Sequence, residues 1–391
     1  MEKLLRLIFP LSIFFFLFFL CVNFILRVPE KTVINGIYDK AEYPAKTDSI
    51  WNGQYQGKYS KWFNENFGKY NFILKIYNQF KYSVFNEGNL RWILGSNKYI
   101  FDVYQTKSCF TAKNSDDDYY NYAKEIAEFQ KKIISLGKKT IFVLTPCKAE
   151  IYPEELPWNY KYLVNKYYKS ENIERAKLIS AFNANGVIYY DSTEDIKKIK
   201  RLGQYPVFYN TGHHWSFMTA SNITKRILEE IALHYENFVI PEINVLNSSG
   251  EEFTMDKDAY LLLNLFRGKK ASSYDSPLIS YGSSSSEKIY IYGSSFAGEI
   301  FYTFARNKGE SCFSSVIYQQ YNTIRAHRDK SLDDMKTFND KEAFQFYIND
   351  LISSDILIME QQTVGGVMEP HKEFIDYLMN ELSEKVVKND I

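Results

Sequence analysis

Two stretches of the chain repeat the same order of an amphipathic helical pattern, a glycine and a short apolar strand. One helical pattern ends at Gly137, before a strand pattern at 140–144. Another, over 171–184, ends at Gly186, before a strand pattern at 187–190. Parallel strands need a crossover connection, which is usually a helix. The sequence therefore predicts an α/β fold in which helices flank a parallel sheet.

A further strand pattern, 288–292, leads directly into a pair of serines. Gly293 ends it with a residue that tolerates a sharp turn, and Ser294 and Ser295 precede a helical pattern at 296–306. Backbone N–H groups at a helix start are unpaired and partially positive, so they can stabilise an oxyanion. Two interpretations follow: a serine nucleophile for acyl transfer, or serines that only cap the helix.

His213 and His214 are two of only five histidines in the chain. Histidine is the usual base that takes a proton from a serine hydroxyl at neutral pH. The alternative is a packed or surface pair with no chemical role. The serine pair elsewhere in the chain favours the catalytic interpretation.

Together these stretches resemble the SGNH-hydrolase-like family of the alginate O-acetyltransferase type, membrane-anchored bacterial proteins that O-acetylate extracellular polysaccharide. The family's Gly-Asp-Ser-Phe block is similar to Gly-Ser-Ser-Phe at 293–296, and its Asp-x-His-Trp block to Gly-His-His-Trp at 212–215. The resemblance implies Ser295 as the nucleophile and His214 as the base. It also implies an SGNH-hydrolase-like, flavodoxin-like fold. The neighbouring residues of the two blocks are candidate site-lining residues: Gly293, Ser294, His213 and Trp215.

Two more segments carry the resemblance, which covers roughly 53–382. Residues 145–157 are similar to the family's Pro-x-Lys…Tyr-Pro-Glu…Leu-Pro segment, and 92–101 to its entry strand. The chain departs from the family at two positions, since Ser294 and Gly212 stand where an aspartate is usual. The second departure removes the carboxylate that should orient the imidazole.

Functional groups of parallel sheets gather at the carboxyl ends of the strands. Asp191 ends a predicted strand there and is the candidate orienting group, while Lys148 and Glu360 are candidate site-lining residues. The alternatives are a solvated lysine and a glutamate that ties down a loop. We expect a carboxylate or backbone carbonyl about 2.6–3.2 Å from Nδ1 of His214, with Nε2 facing Ser295 Oγ.

Leu7–Leu26 is apolar apart from one serine and one asparagine, and it matches the ~20 residues that span a bilayer. Lys3 and Arg6 precede it, so the positive-inside rule keeps the N-terminus in the cytoplasm and sends the rest out. A cleaved signal peptide is the alternative. The length of the run, and the lack of an Ala-x-Ala-like site after it, favour an uncleaved single-pass anchor in the cell membrane.

The predicted layout is a cytoplasmic stub and anchor at 1–28, a tether at 29–52 and one extracytoplasmic SGNH-hydrolase-like domain at 53–391. The 47 basic and 47 acidic residues balance, which argues against a nucleic-acid partner. The four cysteines are scattered, and no Cys/His group has zinc spacing. We therefore expect neither a disulfide framework nor a metal, and the predicted chemistry calls for no cofactor.

The predicted function is an extracytoplasmic O-acetyltransferase that acetylates a cell-surface or secreted polysaccharide. Because acetyl-CoA is cytoplasmic, an outside enzyme needs a relay, and the resemblance implies a membrane-bound O-acyltransferase as that partner. A carbohydrate acetyl esterase would use the same serine and histidine with water as acceptor. A non-catalytic glycan-binding or assembly subunit is the alternative that Gly212 motivates, since loss of the orienting carboxylate can cost ~10⁴ in rate.

Overall fold

The computed structural model describes residues 2–26, 31–36, 41–45, 51–67, 69–167, 172–250, 254–266, 274–305, 311–321, 323–326, 336–339 and 351–389. The chain forms two compact units, the first from residues 1–89 and 259–270, the second from residues 90–258 and 271–391. Part of the predicted tether, 29–52, lies outside the described residues. The predicted domain boundary at residue 53 stays a prediction.

The described residues of the first unit form α1 (Glu2–Ile25), α2 (Gln54–Asn66) and α3 (Tyr70–Phe80), the last followed by a π-helical turn at Lys81–Phe85. They also include all but the first residue of the short helix α11 (Asp258–Leu262). Within α1, Ile8–Ile25 is long and apolar enough to cross a membrane by length and composition. The ring of Phe24, near the end of α1, packs against Trp62 and Phe63 of α2, with centroids 6.1 and 5.4 Å apart.

The second unit holds the sheets. Its strands are β1 (Trp92–Leu94), β2 (Ile100–Asp102), β3 (Lys139–Thr145), β4 (Tyr189–Asp191), β5 (Ile243–Gly250), β6 (Tyr274–Tyr281), β7 (Ser285–Gly293), β8 (Phe313–Gln320), β9 (Thr323–Ala326), β10 (Lys336–Asn339) and β11 (Ile356–Gln362). Its helices are α4 (Val103–Cys109), α5 (Asp116–Ser135), α6 (Lys148–Ile151), α7 (Trp158–Tyr167), α8 (Ile173–Asn185), α9 (Thr193–Leu202), α10 (Phe217–His234), α12 (Ser295–Ala305) and α13 (Glu369–Asn389). Asp258, the first residue of α11, also belongs to the second unit.

The main sheet has the strand order β10-β9-β8-β7-β11-β3-β4. The five strands β8, β7, β11, β3 and β4 run parallel, and β9 and β10 extend the sheet antiparallel. The last strand of the chain, β11, thus lies between β3 and β7. This confirms the predicted α/β class with a parallel sheet flanked by helices.

Side chains alternate between the two faces of the sheet, as the two-residue period of a strand requires. Isoleucines such as Ile141, Ile291 and Ile358 pack on one face against α10 and α12. Larger residues such as Phe142 and Tyr292 pack on the other face against α5, α8 and α13. Both faces are therefore covered, and the chemistry is left to the carboxyl ends of the strands.

Candidate active site

The turn after β7 is shaped by a close approach of two strands. A Cβ atom on Gly293 would lie 2.6 Å from the backbone oxygen of Glu360 and 2.8 Å from its Cβ. Only glycine fits there, so the chain can turn directly from β7 into α12. As a result Ser295 is the first residue of α12, half-buried at the carboxyl edge of the sheet.

His214 reaches this turn from the segment before α10. Ser216 caps α10, because its Oγ accepts a hydrogen bond from the N–H of Thr219 at 3.2 Å. Two residues upstream, the ring of His214 is only 6% exposed and lies against Phe296, with centroids 4.9 Å apart. Its Nε2 is 2.7 Å from Ser295 Oγ.

Asp258 lies on the other side of this imidazole. Its Oδ2 is 2.7 Å from His214 Nδ1, and its Oδ1 accepts from the backbone N–H of His213 at 2.7 Å. A carboxylate at Nδ1 assigns the proton to that nitrogen and leaves Nε2 free to accept from Ser295. Burial would raise the pKa of Asp258, but His214 and His213 outweigh it and the pKa lies below its ordinary value.

The three groups form one hydrogen-bonded chain from carboxylate to imidazole to hydroxyl. This arrangement can take a proton from Ser295 Oγ and stabilise the imidazolium that forms. Both contacts of His214 fall in the expected range of about 2.6–3.2 Å. Asp258 was missed from the sequence, because it follows a stretch with no clear period.

Asp191, the orienting group expected from the sequence, is held elsewhere. Arg175 Nε donates to its Oδ2 at 2.7 Å, and Thr193 Oγ1 donates to its Oδ1 at 2.7 Å. The structure therefore does not bring Asp191 to His214, and Asp258 occupies that position.

Ser294, which stands where the family has an aspartate, is bound to a buried glutamate. Its N–H and its Oγ both donate to Glu360 Oε2, at 2.8 and 2.7 Å, and Thr145 Oγ1 donates to Oε1 at 2.5 Å. Burial raises the pKa of Glu360, and these hydrogen bonds oppose the rise. Ser294 Oγ also accepts from the N–H of Phe296 at 3.1 Å. The carboxyl group of Glu360 on β11 thus lies beneath the turn and connects it, through Ser294 after β7, to Thr145 of β3.

Lys148 supports the segment that carries the histidines. Its buried Nζ donates to the backbone oxygens of Tyr209 at 2.6 Å, Gly212 at 2.7 Å and Asn210 at 3.3 Å. The ring of Tyr99 lies 5.1 Å from the same nitrogen. Burial lowers the pKa of Lys148 to about 7, although Asp258 opposes the change. Lys148 therefore positions the turn before His214.

The remaining predicted residues separate into site and core. His213 Nε2 is 3.0 Å from Gln105 Nε2, which also donates to Gln362 Oε1 at 2.6 Å. Burial, followed by the neighbouring His214, lowers the pKa of His213. Trp215 is fully buried in the core. The two glutamines were missed from the sequence, because a single amide side chain carries no distinctive spacing.

Glu299 lies one helical turn after Ser295 and is completely buried. Within the described part of the chain, neither of its carboxyl oxygens has a hydrogen-bond partner. Burial, reinforced by Asp256 and Asp258, raises its pKa well above the ordinary value. The surroundings of Glu299 therefore favour its uncharged form.

The second unit thus has an SGNH-like α/β fold, with a serine at the turn after β7 and a histidine and an aspartate beside it. Residues 99–248 match the family model of an SGNH hydrolase-like domain, acetyltransferase AlgX. This match includes Lys148 and His214, whereas Ser295 lies beyond its end. It confirms the family resemblance that the motifs predict.

The chain is also similar to one curated relative and to several solved structures. The "Probable alginate O-acetylase AlgJ" of Pseudomonas aeruginosa is 24% identical over 184 residues, which cover 47% of this chain and 44% of that protein. The O-acetyltransferase domain of Pseudomonas putida AlgJ is 15% identical, with 71% of this chain and 93% of that chain covered and a TM-score of 0.41. Pseudomonas aeruginosa AlgX is 13% identical, with 73% and 65% covered and a TM-score of 0.47. The chain is therefore similar to O-acetyltransferases of SGNH-like fold, and it matches less than half the length of P. aeruginosa AlgJ.

Proposed function

We propose that the protein is an extracytoplasmic, membrane-anchored O-acetyltransferase that moves an acetyl group to a hydroxyl of a cell-surface or secreted polysaccharide. The observation that carries the proposal is the hydrogen-bonded chain Asp258–His214–Ser295, with 2.7 Å at both contacts of the imidazole. The match of residues 99–248 to an acetyltransferase family supports the type of group that is transferred.

In the first half of the reaction, Ser295 Oγ attacks the carbonyl carbon of an acetyl ester or thioester. The Oγ proton moves to His214 Nε2, and Asp258 stabilises the resulting imidazolium. The bond between the acetyl group and the donor then breaks, and His214 gives its proton to the departing oxygen or sulfur. The product is an acetyl-serine with the histidine neutral again.

In the second half, a sugar hydroxyl takes the place of the donor. His214 accepts the proton of the sugar hydroxyl while the sugar oxygen attacks the carbonyl carbon of the acetyl-serine. The proton then moves from His214 to Ser295 Oγ as the bond between the acetyl group and Oγ breaks. The sugar leaves as an O-acetyl ester, and the serine is regenerated.

The negative oxygen that develops in both halves needs a donor near Ser295. Glu360 already binds the N–H of Ser294, and Ser294 Oγ binds that of Phe296. We assign the N–H of Ser295, which lies between these two groups in the chain, to the oxyanion. Its position at the start of α12 adds the partial positive charge of a helix N-terminus.

The extracytoplasmic location is supported by the apolar helix α1 and by Lys3 and Arg6 before it. A donor made in the cytoplasm then has to be relayed, for which we propose a membrane-bound O-acyltransferase as partner. Protease added to intact cells should digest the second unit. Protection in intact cells, with digestion only after lysis, would reverse this topology.

Transfer and hydrolysis can be separated by the fate of the acetyl group. The full chain in detergent should be incubated with 4-nitrophenyl acetate and a panel of oligosaccharides, and the products weighed by mass spectrometry. We expect acetylated sugar from the wild type and none from Ser295→Ala. Hydrolysis of the donor by the wild type, with no acetylated sugar across a broad panel, would favour the esterase. Equal activity of both proteins would exclude Ser295.

The non-catalytic alternative rested on Gly212, which cannot orient the imidazole. Asp258 lies at hydrogen-bond distance from Nδ1 and supplies a carboxylate from another part of the chain. The enzymatic proposal therefore does not depend on an aspartate at position 212.

A further inference from the structure

The segment 54–85, which forms α2, α3 and the π-helical turn, is both basic and aromatic. It contains five lysines, one glutamate and no other charged residue, and eleven of its side chains are Tyr, Trp or Phe. Basic helices that carry aromatic and aliphatic side chains on one face lie in the interface between a membrane and water. The exposure of individual side chains shows which face of these helices is apolar and open to the surroundings.

One face of α3 and the turn after it is apolar and exposed. Its side chains, here called the interfacial face, are Ile76 (41% exposed), Tyr77 (57%), Phe80 (53%), Val84 (59%) and Phe85 (58%). Positions 76, 77, 80 and 84 recur at helical spacing and share one side. The ammonium of Lys81 lies 5.7 Å from the ring centroid of Tyr77, which places a cation beside the aromatic surface.

The opposite side of α3 is attached to the rest of the first unit. Asn71 Nδ2 donates to the backbone oxygen of Thr32 at 2.7 Å, and Asn78 Nδ2 donates to that of Leu263 at 2.9 Å. Residues 71 and 78 are seven apart and therefore lie on the same side of the helix, turned away from Phe80. The interfacial face is thus the side that the first unit leaves open.

Two contacts place this helix pair next to the end of α1. The ring of Phe24, in the last turn of α1, packs against Trp62 and Phe63 of α2. Thr32, which holds α3, is seven residues beyond Ile25, a distance of at most about 25 Å even for extended chain. If α1 spans the membrane, α2 and α3 lie where it emerges.

We propose that the interfacial face lies in the headgroup region of an anionic bilayer, beside the point where α1 leaves it. Five lysines against one glutamate give the segment a net charge of +4, which complements anionic headgroups. Tyrosine and phenylalanine at the level of the headgroups are typical of membrane-anchoring surfaces. The first unit is then fixed to the membrane by two elements, a spanning helix and a helix that lies on the surface.

Spin labels on single cysteines test this in the full chain reconstituted into vesicles of phosphatidylglycerol and phosphatidylethanolamine. Cys21 is replaced by serine, and the other three cysteines are buried. Labels are placed at Tyr77→Cys and Phe80→Cys, with Glu128→Cys as the water-exposed control, whose side chain is 59% exposed on α5 of the second unit.

Collisions with oxygen, which dissolves in lipid, and with a water-soluble nickel chelate are then measured for each label. We expect high oxygen and low nickel contact at positions 77 and 80, and the reverse at position 128. In phosphatidylcholine vesicles, nickel contact at position 80 should rise severalfold, because the lysines lose their anionic partners. Nickel contact at position 80 equal to that at position 128 would overturn the proposal. Low contact with both reagents would also overturn it, because protein rather than lipid would then cover the face. Neither result bears on Ser295, so a failure here is distinct from a failure of the proposed reaction.

Discussion

Two buried histidines of the second unit, on opposite faces of the sheet, differ in what surrounds them. His214 has a carboxylate at Nδ1 and a hydroxyl at Nε2, at 2.7 Å each. His371 is fully buried, with Nδ1 2.8 Å from the hydroxyl of Tyr122. Its Nε2 has no hydrogen-bond partner among the described residues.

The surroundings of His371 keep its ring neutral. Burial lowers the pKa of His371 to about 3. Its ring lies between aromatic side chains, with centroids 5.3 Å from Phe142 and 5.5 Å from Tyr292. The hydroxyl of Tyr122 donates to Gln361 Oε1, so Nδ1 of the histidine donates to Tyr122. Among the described residues, neither ring nitrogen of His371 is hydrogen-bonded to a carboxylate that could stabilise an imidazolium.

Burial of a histidine is therefore compatible with both structural and catalytic roles. His214 differs from His371 in having a carboxylate at Nδ1, which would stabilise an imidazolium, and a serine hydroxyl at Nε2.

Replacing the hydroxyl should have the largest effect. We expect Ser295→Ala to lower the rate of acetyl transfer by about 10⁴-fold or more, because no acetyl-enzyme can form. The rate is measured with a chromogenic acetyl ester, and folding by circular dichroism. A folded Ser295→Ala protein with wild-type activity would remove the serine from the mechanism.

Neutralising the carboxylate should come next. Asp258→Asn keeps the shape of the side chain but can no longer stabilise the imidazolium, so we expect a loss of about 10³–10⁴-fold in kcat. Asp191→Asn is the matched control, since Asp191 binds Arg175 and not the histidine. The losses of kcat in the two variants are compared. A larger loss from Asp191→Asn than from Asp258→Asn would show that Asp191 orients the imidazole.

Removing the lysine beneath the histidine segment should be costly in a different way. Lys148→Met leaves three backbone carbonyls without their donor, and we expect a loss of about 3 kcal/mol in the free energy of unfolding and at least a tenfold loss of activity. Lys138→Met is the control, because Lys138 also donates to two backbone oxygens, those of Ile352 and Ser354, at 2.6 Å each. That variant should lose stability and keep its activity per folded molecule. Equal kinetics in both variants would mean that Lys148 only stabilises the fold.

The free energy of unfolding at acidic pH should depend on the ionisation of Asp258. Its pKa is lower in the folded protein than in the unfolded chain, so its ionised form stabilises the fold above about pH 4. This contribution is lost as the pH falls through the folded pKa. Denaturant unfolding of wild type and Asp258→Asn should therefore show a difference at pH 6 that shrinks toward pH 3. A difference that stays constant or grows would contradict the ion-pair account.

The smallest effect is expected at the second histidine. His371→Leu removes one hydrogen bond to Tyr122 but leaves the tyrosine bound to Gln361, so the free energy of unfolding should fall by about 1 kcal/mol. Activity should stay within about twofold of the wild type. A loss as large as that of His214→Leu would show that the two histidines are not distinguished by their partners.

The sheet was predictable because its signals are local. Helical patterns that end at Gly137 and Gly186, each before a short apolar run, are sufficient to indicate parallel strands. The positions of Ser295 and His214 followed from their motifs. Each of these inferences rests on fewer than about twenty neighbouring residues, the range over which a period can be recognised.

The carboxylate that lies at His214 Nδ1 was not predictable, because its position depends on strand order. Asp191 ends β4, which is separated from β7 by β3 and β11, a distance of about 14 Å at the usual strand spacing. The sequence does not indicate that β11, which comes late in the chain, lies between β7 and β3. Asp258 comes 44 residues after His214, beyond α10 and β5, so only the folded chain brings it to the imidazole.

The central claim is that Ser295 is a nucleophile activated by His214 and Asp258. It is tested most directly by reaction with phenylmethanesulfonyl fluoride, followed by digestion and mass spectrometry of the peptides. The account predicts one sulfonyl adduct, on Ser295, which forms at least a hundredfold more slowly in His214→Ala and in Asp258→Asn. An adduct on another hydroxyl, or a rate on Ser295 that neither substitution changes, would contradict it.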